Sequence, residues 1–291
     1  MSLDIVAWDV EHGSATYIKT PNGKHIVVDL GVGSYENKNE TFSPLLHLKN
    51  KWNVKQLDMV VISHPHGDHI KDIMNFDALN PRVLHRPKHL SEEDIQKAAR
   101  KEEEDIVKKY FEINKKYSQP MDNSVNPYVP DNMGGAKIQT FTPTECGTSN
   151  INNHSIVTVV SYATSKIVIS GDNEPASWKE LFGQNGFIDA IKNADILVAP
   201  HHGRDSGFCS ELFEYFNPSL TIISDGRFCD TSATDRYCKV TNGWEVTYRN
   251  DTAKETRKCV TTRNDGYVVV NFGYNGDNQT RPYITVRAKG K

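Results

Sequence analysis

The sequence predicts an α/β fold in which two layers of mixed strands carry helices on their outer sides. Three observations predict it. Short apolar or alternating runs of strand length recur from one end of the chain to the other, helix-period segments separate them in its middle, and no low-complexity linker or repeat of solenoid period divides them. At 291 residues the chain can bury one large core, so a single domain over residues 1–291 is expected, with a charged helical insertion at about 88–130.

Leu3 to Trp8, Ala15 to Lys19 and His25 to Val28 read as strands, and Pro21-Asn22-Gly23 turns between the second and third, so an antiparallel meander opens the chain. A helix follows at Phe42 to Lys49, capped near Ser43, and then Leu57 to Ile62, a near-continuous apolar run, reads as a buried strand. Beyond a loop containing Pro and Gly, Ile70, Ile73 and Met74 fall at i, i+3 and i+4, which starts a helix at about Asp68. Ser91 to Tyr117 is dominated by Glu and Lys, with a capping-box pattern at Ser91 to Asp94. One or two exposed helices are expected there, read first as a solvated insertion and second as a lid. Strands return at Ala136 to Phe141, Ile156 to Tyr162, Ile167 to Ser170, Asp195 to Ala199 and Leu220 to Ser224. Helical segments Ala176 to Phe182, Phe187 to Lys192 and Ser210 to Phe216 lie among them, and the tail is again stranded at Trp244 to Tyr248, Lys258 to Thr262, Tyr267 to Phe272 and Tyr283 to Arg287.

Composition excludes several classes. With 37% hydrophobic residues the chain is not disordered, and 34 Lys+Arg against 37 Asp+Glu leave a net charge of −3, too little for a global basic field. The longest apolar stretches, such as Leu57 to Ile62, fall far short of the roughly 18 residues that a membrane helix needs. The N-terminus lacks the basic and apolar regions of a secretory signal. Cys146, Cys209, Cys229, Cys238 and Cys259 are odd in number and form no C-x-x-C pair, which fits neither a disulfide framework nor a thiolate zinc site. A cytoplasmic protein that does not enter membranes is expected.

The strongest local signal is Ser63-His64-Pro65-His66-Gly67-Asp68-His69. In an extended loop residues two apart point the same way, so His64 and His66 can face one ion, while Asp68 and His69, opening a helix, can reach a second. Three later positions sit at strand ends: His154 before a strand, Asp172 in Ser-Gly-Asp and His201 in Pro-His-His-Gly. Taken singly they have plainer readings, His154 as a turn residue, Asp172 as an Asx turn and His202 as a packing partner. The same extended-chain alternation makes His201 the inward residue of its pair and leaves His202 on the substrate side.

H-x-H-x-D-H followed by S-G-D and a late H-H-G resembles the metallo-β-lactamase superfamily, an αββα sandwich of two mixed sheets with outer helices. The order Trp8-Asp9-Val10-Glu11-His12-Gly13, Val27-Val28-Asp29-Leu30-Gly31, Asn152-Asn153-His154-Ser155, Ser170-Gly171-Asp172 and Pro200-His201-His202-Gly203 is closer still to the hydrolase domain of ComEC-type competence DNA-uptake proteins. The resemblance spans about residues 3–273. It implies a first metal on His64, His66 and His154, a second on Asp68, His69 and His201, and Asp172 bridging them. Asp68 and Asp172 are thus the expected catalytic carboxylates. Departures occur at Glu11-His12, at Arg204 in place of a Ser, and at Lys239 in place of a His; Ser206 stands close to the family's later Ser.

Two divalent ions, Zn or Mn, roughly 3.5 to 4 Å apart could share a hydroxide and stabilise both oxygens of a displacement. The expected activity is that of a metal-dependent phosphodiester hydrolase, a nuclease acting on DNA or RNA. Residues Arg227 to Arg263 hold eight Lys/Arg against five Asp/Glu, a local cationic bias, and His202, Arg204, Ser206, Arg236 and Lys239 are the expected substrate contacts. The alternatives are a thioester or lactone hydrolase of the glyoxalase II type and a dormant metal-binding regulatory module.

Overall fold

The period-two alternation of the N-terminal segment folds into β1 (Ser2–Ala7), β2 (Thr16–Lys19) and β3 (His25–Val28), antiparallel and registered so that Ile5 faces Ile18 and Ile18 faces Ile26. This computed structural model describes residues 1–33, 41–226, 232–248, 253–275 and 281–289. α1 (Pro44–Asn50) begins where the Ser43 side chain accepts from Leu46 N and Pro44 takes the first helical position. Next come β4 (Met59–Val61), the short α2 (Gly67–Ile70), β5 (Val83–His85), α3 (Glu92–Ala98) and α4 (Glu104–Lys116). The second half contributes β6 (Lys137–Phe141), β7 (Val157–Tyr162), β8 (Ser165–Ile169), α5 (Pro175–Gly183), α6 (Phe187–Ile191), β9 (Ile196–Val198) and β10 (Leu220–Ile223). The tail adds α7 (Thr234–Val240), β11 (Trp244–Tyr248), β12 (Lys254–Arg257), β13 (Cys259–Thr261), α8 (Thr262–Asp265), β14 (Val268–Asn275) and β15 (Arg281–Ala288).

These strands form two mixed sheets, ordered β12-β11-β15-β14-β1-β2-β3-β4-β5 and β13-β10-β9-β8-β7-β6. Their facing sides bury Ile5, Ile18, Ile26 and Val28 of the first against Val160, Ile167, Ile169 and Ile196 of the second. Outside the first sheet, Leu45 and Leu48 of α1 and Val107 and Tyr110 of α4 pack with Trp8, Tyr17 and Val60. Outside the second, Trp178 and Leu181 of α5, Phe187 of α6 and Tyr237 of α7 cover Val157, Val159 and Leu197. The architecture is the expected αββα sandwich. Among the described residues no helix is long and apolar enough to cross a membrane.

Four elements escaped the sequence reading, the one-turn α8 among them, and two changed type. β5 is three residues long and lies close to Pro81 and Pro87, β12 is almost wholly polar, and α7 has only Tyr237 buried, so none shows a usable period. The helix expected from about Asp68 through Met74 is α-helical only to Ile70 and continues as a 3-10 segment over Lys71–Leu79 that leaves Met74 exposed. Ser210 to Phe216 forms a 3-10 turn over Ser210–Glu214 rather than an α-helix. In the insertion Ser91 does cap α3 through a capping box with Asp94.

Parallel pairing of β3, β4 and β5 in one sheet, and of β8, β9 and β10 in the other, sends loops from both sheets to one edge. There Ser14 N donates to Asp68 O (3.2 Å), Gly31 N to Ser14 O (2.8 Å) and Leu30 N to His69 O (2.7 Å), which ties three loops together. Gly31 permits this approach, since a Cβ there would lie 2.8 Å from Ser14 N and O and 2.9 Å from Asp68 O, all backbone atoms. Gly31→Ala should therefore cost about 2–4 kcal/mol in denaturant unfolding, against under about 0.5 for an exposed control substitution.

His85 adds a pH dependence. Burial, with Arg86 and Lys88 nearby, pushes its pKa down from 6.5 to about 4. As pH falls through that window the unfolded chain takes up the proton first, so stability present above pH 6.5 is lost progressively down to about pH 4. His85→Gln should lower the slope of unfolding free energy against pH over that interval in urea melts, leaving the share of other depressed histidines such as His12.

Candidate metal centre

Four strand ends bring the ligand-type residues to that edge. Asp29 follows β3, Ser63 and His64 follow β4, Asp172 follows β8, and His201 and His202 follow β9. Asp172 stands at the centre: its Oδ1 is 3.1 Å from His69 Nε2, and its Oδ2 is 3.4 Å from His202 Nε2 and 3.9 Å from both His64 Nε2 and His201 Nε2. Ligand atoms of Asp68, His69, Asp172 and His202 all fall within 4.8 Å of one another. On the other flank His64 Nε2 lies 2.9 Å from His66 Nδ1. His154 is fully buried; its Nδ1 is 2.8 Å from His89 Nε2, and its Nε2 has no hydrogen-bond partner.

Residues behind the cluster hold it in place. Asp29 accepts from Ser63 N (2.7 Å) and Ser63 Oγ (2.9 Å) and meets His69 Nδ1 at 2.9 Å, which turns His69 Nε2 toward Asp172. Ser155 Oγ accepts from Asp172 N (3.0 Å) and contacts His64 Nδ1 (3.1 Å), joining the two flanks. Glu11, Asp29, His201 and His202 all adopt left-handed φ, between 49° and 61°, an accumulation of backbone strain at one place.

Charge is divided across the cluster. Burial disfavours a cationic His69, but the Asp172 and Asp29 carboxylates hold its pKa well above the ordinary histidine value. Burial likewise opposes charge on His202, yet Asp172 and Asp68 push it up to about 10. Burial would raise Asp172, but the His69 and His202 imidazoles hold it well below the carboxylate range. Around His64 and His66 burial wins and both are pushed down, leaving neutral imidazoles. The donor set fits divalent cations: imidazole nitrogens and carboxylate oxygens converge without thiolates, and the orphaned His154 Nε2 is a buried acceptor of the kind a metal satisfies.

The structure corrects the expected placement of the Pro200-His201-His202-Gly203 pair. The alternation argument assumed an extended chain, but residues 200–203 form a tight turn with both histidines left-handed. His202 thereby enters the cluster, while His201 lies in the wall of the cavity above it, its Nδ1 2.9 Å from Ser206 Oγ and 3.2 Å from Glu174 Oε1.

That cavity, of about 360 Å³, opens directly over the cluster. Besides ligand-type residues it is lined by His12, Ala98, Arg100, Glu103, Asn152 and Arg204. A larger cavity of about 680 Å³, bordered by Tyr17, Trp52 and Tyr267 on the outer side of the first sheet, contains none of the cluster residues. Of the expected substrate contacts, Arg204 lines this cavity and His202 lies in the cluster beneath it. Arg236 instead donates to Asp205 Oδ1 (3.2 Å) and sits 3.9 Å over the Phe208 ring, and Lys239, in the last turn of α7, does not line the cavity. Ser206 reaches the site only through His201. The cationic bias of residues 227–263 is met by acids from outside the segment, since Arg236 pairs with Asp205, Arg257 with Asp265 and Arg263 with Asp225; Arg227 and Arg249 lie outside the described residues.

Sequence reasoning assigned no role to His12, Asp29, His89 or Arg100. His12 Nε2 accepts from Arg204 Nη2 at 2.9 Å and lies 3.8 Å from Asp68 Oδ2; burial first, then His202, pushes its pKa down to about 4, so it serves as a neutral acceptor. The only sequence signal for it was its position in the Asp9 to Gly13 motif.

The metallo-beta-lactamase superfamily model matches residues 8–204, well over half of the sequence, and the chain belongs to that superfamily. No curated protein matches it. Similar solved structures include the metallo-β-lactamase fold protein YhfI from Bacillus subtilis, at 14% identity and a TM-score of 0.42, covering 78% of this chain and 88% of that one. A Thermotoga maritima protein of the superfamily is 15% identical with a TM-score of 0.43, covering 89% and 97%. A diphosphatase of the PhnP family is 12% identical with a TM-score of 0.39, covering 81% and 92%.

The geometry of the turn predicts that His202→Ala loses bound metal by elemental analysis, by about tenfold or more in affinity, whereas His201→Ala retains it. The opposite pattern would restore the extended-chain assignment.

Proposed function

We propose that the chain is a metal-dependent phosphodiester hydrolase, a nuclease acting on DNA or RNA. The observation that carries this reading is the cavity wall: Arg100, Arg204 and Asn152 stand around the cluster, and among the described residues Ala98 contributes the only apolar side chain to the lining. A thioester or lactone would ask for apolar surface to hold its acyl chain, whereas a phosphodiester asks for cations and hydrogen-bond donors. The motif order shared with ComEC-type hydrolase domains points the same way.

In this reading His64, His66 and His154 would hold one divalent ion, Zn or Mn, and Asp68, His69 and His202 the other, with Asp172 between them. Such ions would supply Lewis-acid stabilisation of the phosphoryl oxygens and lower the pKa of water. The chain's own groups do the rest. Asp68 and Asp172 fix the position of the reacting centre, Asp29 orients His69, and His12 holds the Arg204 guanidinium at the mouth, where it can pair with a phosphate oxygen.

Purified protein loaded with Mn²⁺, Mg²⁺ or Zn²⁺ should cleave bis-p-nitrophenyl phosphate and labelled DNA or RNA, and Asp172→Ala should lower kcat/KM by about 10³-fold while the melting transition persists. Efficient thioester or lactone hydrolysis without phosphodiester cleavage would replace this reading by the glyoxalase II type. Metal binding with no turnover at all would leave the regulatory module.

A further inference from the structure

The insertion does more than solvate one side of the molecule, because the turn between α3 and α4 forms part of the cavity wall. We propose that Arg100 on this turn, with Arg204 and Asn152, builds a subsite for a second phosphate of the substrate, adjacent to the phosphodiester that is cut. The inference rests on the phosphodiester reading above and specifies the substrate class: a diester that carries a neighbouring terminal phosphate.

The turn is held in place by several contacts. Arg100 N donates to Glu103 Oε2 (2.9 Å) and Glu103 N to Arg100 O (3.0 Å), closing the turn on itself. The Glu103 side chain lies directly on Gly67, in the ligand-bearing loop, where even a Cβ would collide with its carboxylate. Ile95 of α3 and Val107, Tyr110 and Phe111 of α4 are buried in the outer core of the first sheet, so the turn is anchored on both sides. The backbone of Arg100 is thus fixed at the rim by packing, and its exposed side chain borders the cavity from there.

Hydrogen-bonding capacity converges at this rim without being used. Arg204 spends Nη2 on His12, but its buried Nε has no partner. Asn152 is 8% exposed and its Oδ1 has no partner, so turning the carboxamide over costs no hydrogen bond at that atom and would put its NH2 donors where Oδ1 now stands. Arg100 makes no ion pair among the described residues. A phosphate offers three acceptor oxygens, and guanidinium groups match it by paired, charge-assisted hydrogen bonds. Three carboxylates stand in the same wall and oppose an anion: Asp68 and Asp172, which the reading above commits to the metal ions, and Glu103, which is engaged by the Arg100 amide, so that Arg100 and Arg204 face a single remaining carboxylate. Arg100 comes from an element apart from the ligand loops, which suits a phosphate next to the reacting one rather than the reacting one itself.

The test uses the metal-loaded full chain and three thymidine dinucleotides: one with only its internal diester, one with an added 5′-phosphate and one with an added 3′-phosphate. One phosphorylated form should exceed the bare dinucleotide by about tenfold or more in kcat/KM, mainly through KM. Arg100→Ala should reduce that ratio to within about twofold, Arg100→Lys should leave it intermediate, and Lys101→Ala should preserve it. Circular dichroism melts check that each variant folds. Equal cleavage of all three dinucleotides, or a preference that survives Arg100→Ala, would overturn the subsite while leaving the phosphodiester reading intact. Failure to cleave any dinucleotide or bis-p-nitrophenyl phosphate would remove both.

Discussion

Everything at the functional edge depends on the burial of the Asp172 carboxylate. A carboxylate that is 3% exposed is costly unless countercharge surrounds it, and here His69 and His202 turn ring nitrogens toward it at 3.1 and 3.4 Å, where protonated rings or a cation held between them and the carboxylate would supply that countercharge. His69 comes from the first sheet, whereas Asp172 and His202 come from the second, so neither sheet can satisfy the group alone. The sandwich interface and the cluster are therefore one construction: the strand ends must meet for the charge to be tolerated. The left-handed conformations of Asp29, His201 and His202 are the local cost of that meeting, offset by the apolar packing between the sheets.

The same dependence explains what could be read from sequence. Strands with a buried face carry an apolar run or period in the chain, so β1 to β4, β6 to β11 and β13 to β15 announced themselves, whereas β12 has no buried residue and β5 is a short apolar pair broken by charged residues and by Pro81 and Pro87. The ligand motif was legible because four metal-binding side chains within six positions have few other uses. Which of His201 and His202 turns inward was not legible, since it is decided by two backbone angles whose strain only the assembled edge can sustain. Ligand types follow from local sequence; ligand orientation follows from tertiary closure.

Charge behaved differently from apolar period. A run of basic residues between 227 and 263 looked like a cationic track, but Asp205, Asp225 and Asp265 come to meet it in the fold. Counting charge along the chain misses partners that approach from elsewhere, whereas apolar periodicity survives because burial on one face is enforced along the whole element. His12 and Arg100 show the converse. His12 belongs to no charge cluster, and Arg100 sits in a charged stretch that reads as solvated, yet both border the cavity.

The substrate question accordingly moves from a surface track to a bounded space. A polyanion held by a long basic groove would be gripped at many phosphates, with affinity falling steeply with salt. The cavity here has a volume near the lower end of those that enclose small ligands, about 300–1,000 Å³, and its cations number two, Arg100 and Arg204. One of them is set by the insertion, through Glu103 on Gly67, and the other by the turn after β9. Under the proposed phosphodiester activity, recognition on this edge would be concentrated within one or two phosphates of the reacting centre. The insertion, a peripheral pair of charged helices when seen from the sequence, sets one side of that limit.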